Sequence, residues 1–303
     1  LYSSQKNSNQ AIECLKRAIV LQPDDPDLYA ALGAELVENN EENDALGYLE
    51  KALELNLSSS SIMSMLGSVY SGKADHTSAI GYYKQAMELE PKDAITHFNM
   101  GNALQANGRF NEAVESYKQA LNIKPEDAET YNNMGVALKE LGRLDEAIDS
   151  CTQAIKIKPD YSEAYSNMGL ILQNKGEVRI ANEFYNIALN IKDSYAEGYC
   201  NMGLFLRDRG DLEGAIKFYN MALKINPSYD AARGHKLYLQ AHNCDWAKIE
   251  EDRNLIPSLG TLTSQISPFS MLTMEDAPMH HRLRSENFAT KTWLQEPLLP
   301  TIK

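Results

Sequence analysis

Small and bulky apolar residues recur along this chain in a fixed phase, separated by short polar turns. Gly33, Gly67, Gly101, Gly135, Gly169 and Gly203 stand 34 residues apart. Ala45, Ala79, Ala113, Ala147, Ala181 and Ala215 keep the same interval, as do Ala52, Ala86, Ala120, Ala154, Ala188 and Ala222. Tyr83, Tyr117, Tyr185 and Tyr219 share one phase. The pattern predicts pairs of antiparallel helices. Small residues fall where helix axes approach to about 8–10 Å, and tyrosine rings fill the space beside them. Pro91, Pro125, Pro159 and Pro227 close four of the units, where Leu57 and Asp193 close two others. Proline lacks an N–H and cannot continue a helix, so it marks each second helix's end. Asn107-Gly108-Arg109, Leu141-Gly142-Arg143 and Arg209-Gly210-Asp211 predict left-handed glycines between the paired helices.

A 34-residue period with Leu-Gly, Ala and Pro markers is similar to the tetratricopeptide repeat. The residue before each glycine is Leu32, Leu66, Met100, Met134, Met168 or Met202. The resemblance implies an all-α fold, a right-handed superhelical solenoid of antiparallel helix pairs. Six repeats are expected at 26–59, 60–93, 94–127, 128–161, 162–195 and 196–229. Residues 1–25 carry Ala11, Ala18 and Pro23 in register, and are expected to be the second helix of a preceding repeat. A helix over 230–243, with Leu237 in place of the glycine, is expected to cap the array.

The 303 residues are 43% hydrophobic and 23% charged, enough for a packed core. The net charge of −13 disfavours phosphate backbones and anionic membrane surfaces as partners. No apolar stretch approaches the ~18 residues a spanning helix needs. The N-terminus LYSSQKNSNQ does not read as a secretory signal; it begins inside a repeat, so a fragment is expected. Cys14, Cys151, Cys200 and Cys244 form no C-x-x-C pair. They read as small buried hydrophobes in a reducing, intracellular setting, cytoplasmic or nuclear. Neither His280-His281 nor the scattered His76, His97, His235 and His242 has metal-ligand spacing. No phosphate loop, Gly-x-Ser-x-Gly or His-Glu-x-x-His occurs. No cofactor is expected in this chain.

The candidate site lies on the first helix of each repeat. Two positions before the repeat glycine stand Asn99, Asn133, Asn167 and Asn201, where the first two repeats have Ala31 and Met65. Asparagine is a poor helix former, so four in phase do not follow from propensity. Each amide both donates and accepts, and can bond the N–H and C=O of one residue in an extended peptide. First helices about 10 Å apart would meet a strand rising ~3.3 Å per residue at roughly every third position. Each bond contributes about 0.5–1.5 kcal/mol, so affinity should be modest and largely independent of sequence. The plainer alternative is asparagine tolerated on a polar face. One turn earlier lie Glu129, Glu163 and Glu197, with Ile95 at the matching position before Asn99. They could select Lys, Arg, Ser or Thr in the bound chain, or be solvated acids near helix N-termini.

After residue 243 the period stops. Cys244-Asp245-Trp246 opens the new segment, Ser267-Pro268-Phe269-Ser270-Met271-Leu272 follows, and a helix is expected over about 278–290. With Tyr131-Asn132-Asn133-Met134-Gly135 in the repeats, these features resemble the protein O-glycosyltransferases of the O-linked N-acetylglucosamine transferase and Spindly O-fucosyltransferase type. The resemblance implies that Asn99, Asn133, Asn167 and Asn201 bind the acceptor polypeptide and that Glu129, Glu163 and Glu197 contribute to its choice. It implies a parent enzyme using UDP-GlcNAc or GDP-fucose, with 244–303 the truncated start of a catalytic region. Animal members carry histidines where this chain has Ile266-Ser267-Pro268-Phe269, which leaves the sugar open. No Gly-rich strand-to-helix turn or alternation of strands and helices follows residue 243, so this chain alone is expected to transfer no sugar. The other reading is a scaffold or co-chaperone without an enzymatic domain. The few cations on the first helices argue against a carboxylate clamp of the co-chaperone kind. Homodimerisation through a convex apolar patch is compatible with either reading.

Overall fold

The computed structural model describes residues 2–39, 41–56 and 59–243, together with Ile249, Ile256 and Ser285. The remainder of the expected catalytic start, including Cys244, Asp245, Trp246, 267–272 and nearly all of the helix expected over 278–290, lies outside the described residues. The backbone divides into two compact units, Leu1–Lys158 and Pro159–Lys303.

Regular structure among the described residues is entirely helical, and the helices come in pairs. The first unit opens with a 20-residue helix, α1 (Tyr2–Leu21). Four hairpins follow: α2 (Pro26–Glu38) with α3 (Glu42–Leu55), α4 (Ser60–Gly72) with α5 (His76–Leu89), α6 (Ala94–Ala106) with α7 (Phe110–Ile123), and α8 (Ala128–Glu140) with α9 (Leu144–Ile157). The second unit holds α10 (Ser162–Lys175) with α11 (Val178–Ile191), α12 (Ala196–Asp208) with α13 (Leu212–Ile225), and α14 (Asp230–His242).

Local chemistry sets these boundaries. Asp93 accepts hydrogen bonds from the backbone N–H groups of Ile95 and Thr96 and so caps α6. Asp127 caps α8 through the Thr130 N–H, and Asp25 caps α2 just before Pro26. Gly108, Gly142 and Gly210 take positive φ in the turns between paired helices, as the sequence predicts. Gly176 does the same at the end of α10, with φ +87°.

The glycine at each repeat's marker position is set by the ring opposite. A Cβ on Gly101 would lie 2.5 Å from the Tyr117 ring, and Tyr117 itself is fully buried. Tyr83, Tyr185 and Tyr219 close on Gly67, Gly169 and Gly203 in the same way, whereas Cys151 does so at Gly135 and Leu49 at Gly33. The rings thus replace the missing side chains, which is how the 34-residue period becomes a packed core.

The cysteines divide. Cys151 and Cys200 are buried, and burial pushes both thiols up to about 12. Cys14 is exposed, against the sequence expectation, because α1 turns that face away from α2. The outer face of α14 is covered: Ala232 and Leu239 join the core of α12 and α13, while Leu237 packs on Ile249 and Ile256. Among the described residues no helix is long and apolar enough to cross a membrane.

Candidate functional site

In the first unit, α6 and α8 carry the predicted asparagines. Asn99 is half-buried, and among the described residues its amide makes no hydrogen bond. Asn133 is also half-buried but held at both ends of its amide: its Nδ2 donates to Asn102 Oδ1 at 3.0 Å, and its Oδ1 accepts from Asn132 Nδ2 at 3.3 Å, which leaves one donor and one acceptor site open. Asn102 accepts a second bond, at 2.7 Å, from the Tyr117 hydroxyl, which also reaches Gln105 at 3.2 Å. A line of hydrogen bonds therefore runs from the core ring to Asn133 and fixes its orientation. One turn before these asparagines, Ile95 is 67% exposed and Glu129 is exposed. Ile95, Phe98, Lys124, Asp127 and Glu129 line one cavity of about 190 Å³.

In the second unit, α10 and α12 present a different surround. Asn167 is half-buried and partnered. Asn201 is only 8% exposed, and its Nδ2 donates to Ser166 Oγ at 3.0 Å. Part of its hydrogen-bonding capacity is thus spent inside the unit. Lys192 donates to Glu163 at 2.8 Å, and Ser162 donates to the same carboxylate at 2.9 Å. Burial pushes Glu163 up, but the Lys192, backbone and Ser162 hydrogen bonds together hold it below the usual carboxylate range. Glu197 keeps solvent-exposed surface, yet neighbouring atoms crowd it. That crowding, then the Glu163 charge, raises its carboxyl, with Lys192 opposing. The two glutamates, alike in sequence phase, are therefore unlike in charge behaviour.

Sequence reading missed Asn102, Gln105, Asn132 and Ser166, which hold Asn133 and Asn201. The signal was available in part. Asn102 directly follows the repeat glycine, as Ser68 does, and Ser68 Oγ meets the Tyr83 hydroxyl at 3.1 Å. Among the described residues no group of His, Cys, Asp and Glu could hold a metal ion.

The chain matches models described as tetratricopeptide or TPR repeats at residues 1–40 and 106–142, 60–93, 82–115, and 128–161 and 196–229, together more than half of its length. Among curated proteins none matches the sequence. Solved structures share the fold. The APC/C hetero-tetramer Cut9-Hcn1 superposes with TM-score 0.63 at 16% identity, covering 76% of this chain and 45% of that one. PilF of Pseudomonas aeruginosa gives 0.57 at 19% identity, covering 72% of this chain and 97% of that one. MamA of Desulfovibrio magneticus RS-1 gives 0.53 at 17% identity, covering 56% and 96%. The period, the glycine–tyrosine closures and these matches place the chain in the tetratricopeptide-repeat family.

Proposed function

We propose that the first helices of each unit hold extended polypeptide, with Asn99 and Asn133 gripping main chain in the first unit and Asn167 and Asn201 in the second. The observation that carries this reading is Asn99. A half-buried amide with no partner among the described residues keeps its donors and acceptor free to exchange water for a bound backbone, and it sits one turn from exposed Ile95. The Tyr117–Asn102–Asn133 line supports it further, because a rung oriented in advance loses less entropy on binding. Asn201 is the most buried rung, 8% exposed, and Ser166 takes one of its donors.

Asn99→Ala is the discriminating variant, because nothing inside the protein depends on that amide. Fluorescence anisotropy with an unstructured labelled peptide should show binding to the parent chain. Asn99→Ala/Asn133→Ala should weaken it by roughly tenfold, the loss of two net hydrogen bonds. Equal affinity in parent and double variant removes the grip.

The finer reading is that the held polypeptide is the acceptor of a nucleotide-sugar-dependent O-glycosyltransferase. Its support is the sequence of Cys244-Asp245-Trp246 and 267–272, and the acidic Glu129, Glu163 and Glu197 set belongs to that reading. Coding sequence after Lys303 should specify alternating strands and helices; a stop codon there would favour a scaffold without an enzymatic domain.

A further inference from the structure

The second unit holds a cavity remote in chemistry from the asparagine rows. It lies between the start of α11 and the end of α12 and measures about 400 Å³, within the ~300–1,000 Å³ of ordinary ligand sites. Its apolar wall is Val178, Phe205 and Leu206; its polar residues are Arg179, Asn182, Glu183 and Arg209.

The arginines are the anomaly. Elsewhere among the described residues, Arg17, Arg109, Arg143 and Arg207 each pair with a carboxylate, and Arg233 donates to the Pro227 carbonyl. Arg179 and Arg209 have no carboxylate partner there, and both line this one cavity. Glu183 shares the cavity without an ion pair to either, so two guanidiniums face one carboxylate. The Arg209 guanidinium lies 5.8 Å from the Phe205 ring centre, an arrangement that holds it in place. The backbone adds a smaller contribution: α11 begins at Val178 with no side chain capping its first N–H groups and no acidic residue in its first turn, while its N-cap residue Glu177, ion-paired with Lys175 at 3.5 Å, offsets part of that positive end. A chain of net charge −13 thus keeps a cationic recess with an aromatic floor.

We propose that this cavity binds an acidic segment of a partner protein. One carboxylate lies between Arg179 and Arg209, and a neighbouring apolar side chain packs on the half-buried Val178 and Leu206. Guanidinium forks match carboxylate geometry better than ammonium groups do. The apolar wall favours a peptide over a free anion, which would leave that wall unfilled. Glu183 opposes the bound carboxylate and limits affinity.

The test uses the full chain and a labelled dodecapeptide of repeating Leu-Glu-Glu, with a Leu-Gln-Gln counterpart. The acidic peptide should bind about tenfold or more tightly than the neutral one, which retains only the proposed backbone grip. Arg179→Ala/Arg209→Ala should weaken binding by about tenfold or more, as expected for lost charge-assisted bonds. Glu183→Gln should tighten it, a gain that a merely unfolded variant cannot mimic. The response should persist in Asn99→Ala/Asn133→Ala, which separates this site from the proposed backbone grip. Equal binding of the neutral peptide, unchanged affinity in the arginine variant, or weaker binding in Glu183→Gln would each overturn the proposal. So would displacement of the peptide by equimolar inorganic phosphate, which would make the recess an anion site rather than a peptide site.

Discussion

Tyr117 and Tyr219 occupy the same place in two repeats and live in different chemistry. Each ring is fully buried and closes on the repeat glycine, Gly101 at 2.5 Å and Gly203 at 2.5 Å. The Tyr117 hydroxyl donates to Asn102 and Gln105. The Tyr219 hydroxyl is buried with no partner among the described residues, where the equivalent positions are Leu204 and Arg207, and its ring lies 5.6 Å from that of His235. Tyr117 is therefore tied to the candidate rung Asn133, and Tyr219 to the packing of α14. The ring sets the shape of the repeat, and the residues around its hydroxyl decide whether that shape communicates with a functional face.

Removing the rings tests the shared part first and should have the largest effect. Tyr117→Ala and Tyr219→Ala should each destabilise by about 3–5 kcal/mol, as buried aromatic truncations do. Guanidinium denaturation followed by circular dichroism would measure it. Costs that differ by more than ~2 kcal/mol, the scale of a buried hydrogen-bond difference, would break the claim that the rings do equivalent packing.

The packing of α14 against Tyr219 should carry a pH dependence of its own. Burial, then the charge of Arg207, lowers His235 from 6.5 to about 4, with Asp208 opposing. The groups packed around it are Arg207, Asp208 and Tyr219. The unfolded chain takes up a proton near pH 6.5, and the folded chain only near 4. Between those values the unfolded state binds more protons, so stability falls as pH drops from 6.5 to 4 and levels off below. The full effect is about 3 kcal/mol at 1.36 kcal/mol per pH unit. His235→Phe should abolish that component, read as the difference between the two proteins' stability–pH curves. Parallel curves would show that His235 is not held neutral by its surroundings.

The architecture was open to sequence reading because its signal is repetition. Six glycines and the alanines in phase each mark a steric necessity, and averaging over repeats removes local noise. Asn133 and Asn201, identical in phase, could not be separated that way. Their difference depends on Asn102 and Ser166, which stand at other positions of the repeat and meet them only through helix packing. Glu163 and Glu197 diverge for a similar reason, since Lys192, beyond the end of α11, reaches Glu163 across the stack. Cys14 was misplaced because a residue type's average burial says nothing about which face of α1 is covered. Arg179 drew no notice and Arg209 entered only as part of a turn, since an unpaired arginine is defined by missing neighbours, which a sequence does not display.

Removing only the hydroxyls gives the smallest effect and the sharpest contrast. Tyr117→Phe leaves the ring but withdraws the donor shared by Asn102 and Gln105. Losing one buried side-chain bond of this kind costs about 0.5–1.5 kcal/mol, and an acceptor left unsatisfied adds to it. Tyr219→Phe removes a buried hydroxyl that already lacks a partner, so the change should be neutral or stabilising by up to ~1 kcal/mol, the desolvation it relieves. The two variants differ from their parent by the same oxygen atom, so opposite signs can come only from the surroundings. A second reading follows from the bond network. Tyr117→Phe frees Asn102 to reorient, and Asn133 loses its fixed partner geometry, so peptide affinity should fall in that variant and stay constant in Tyr219→Phe. Equal responses from both, in stability and in binding, would mean that the hydroxyl line from the core to Asn133 organises nothing.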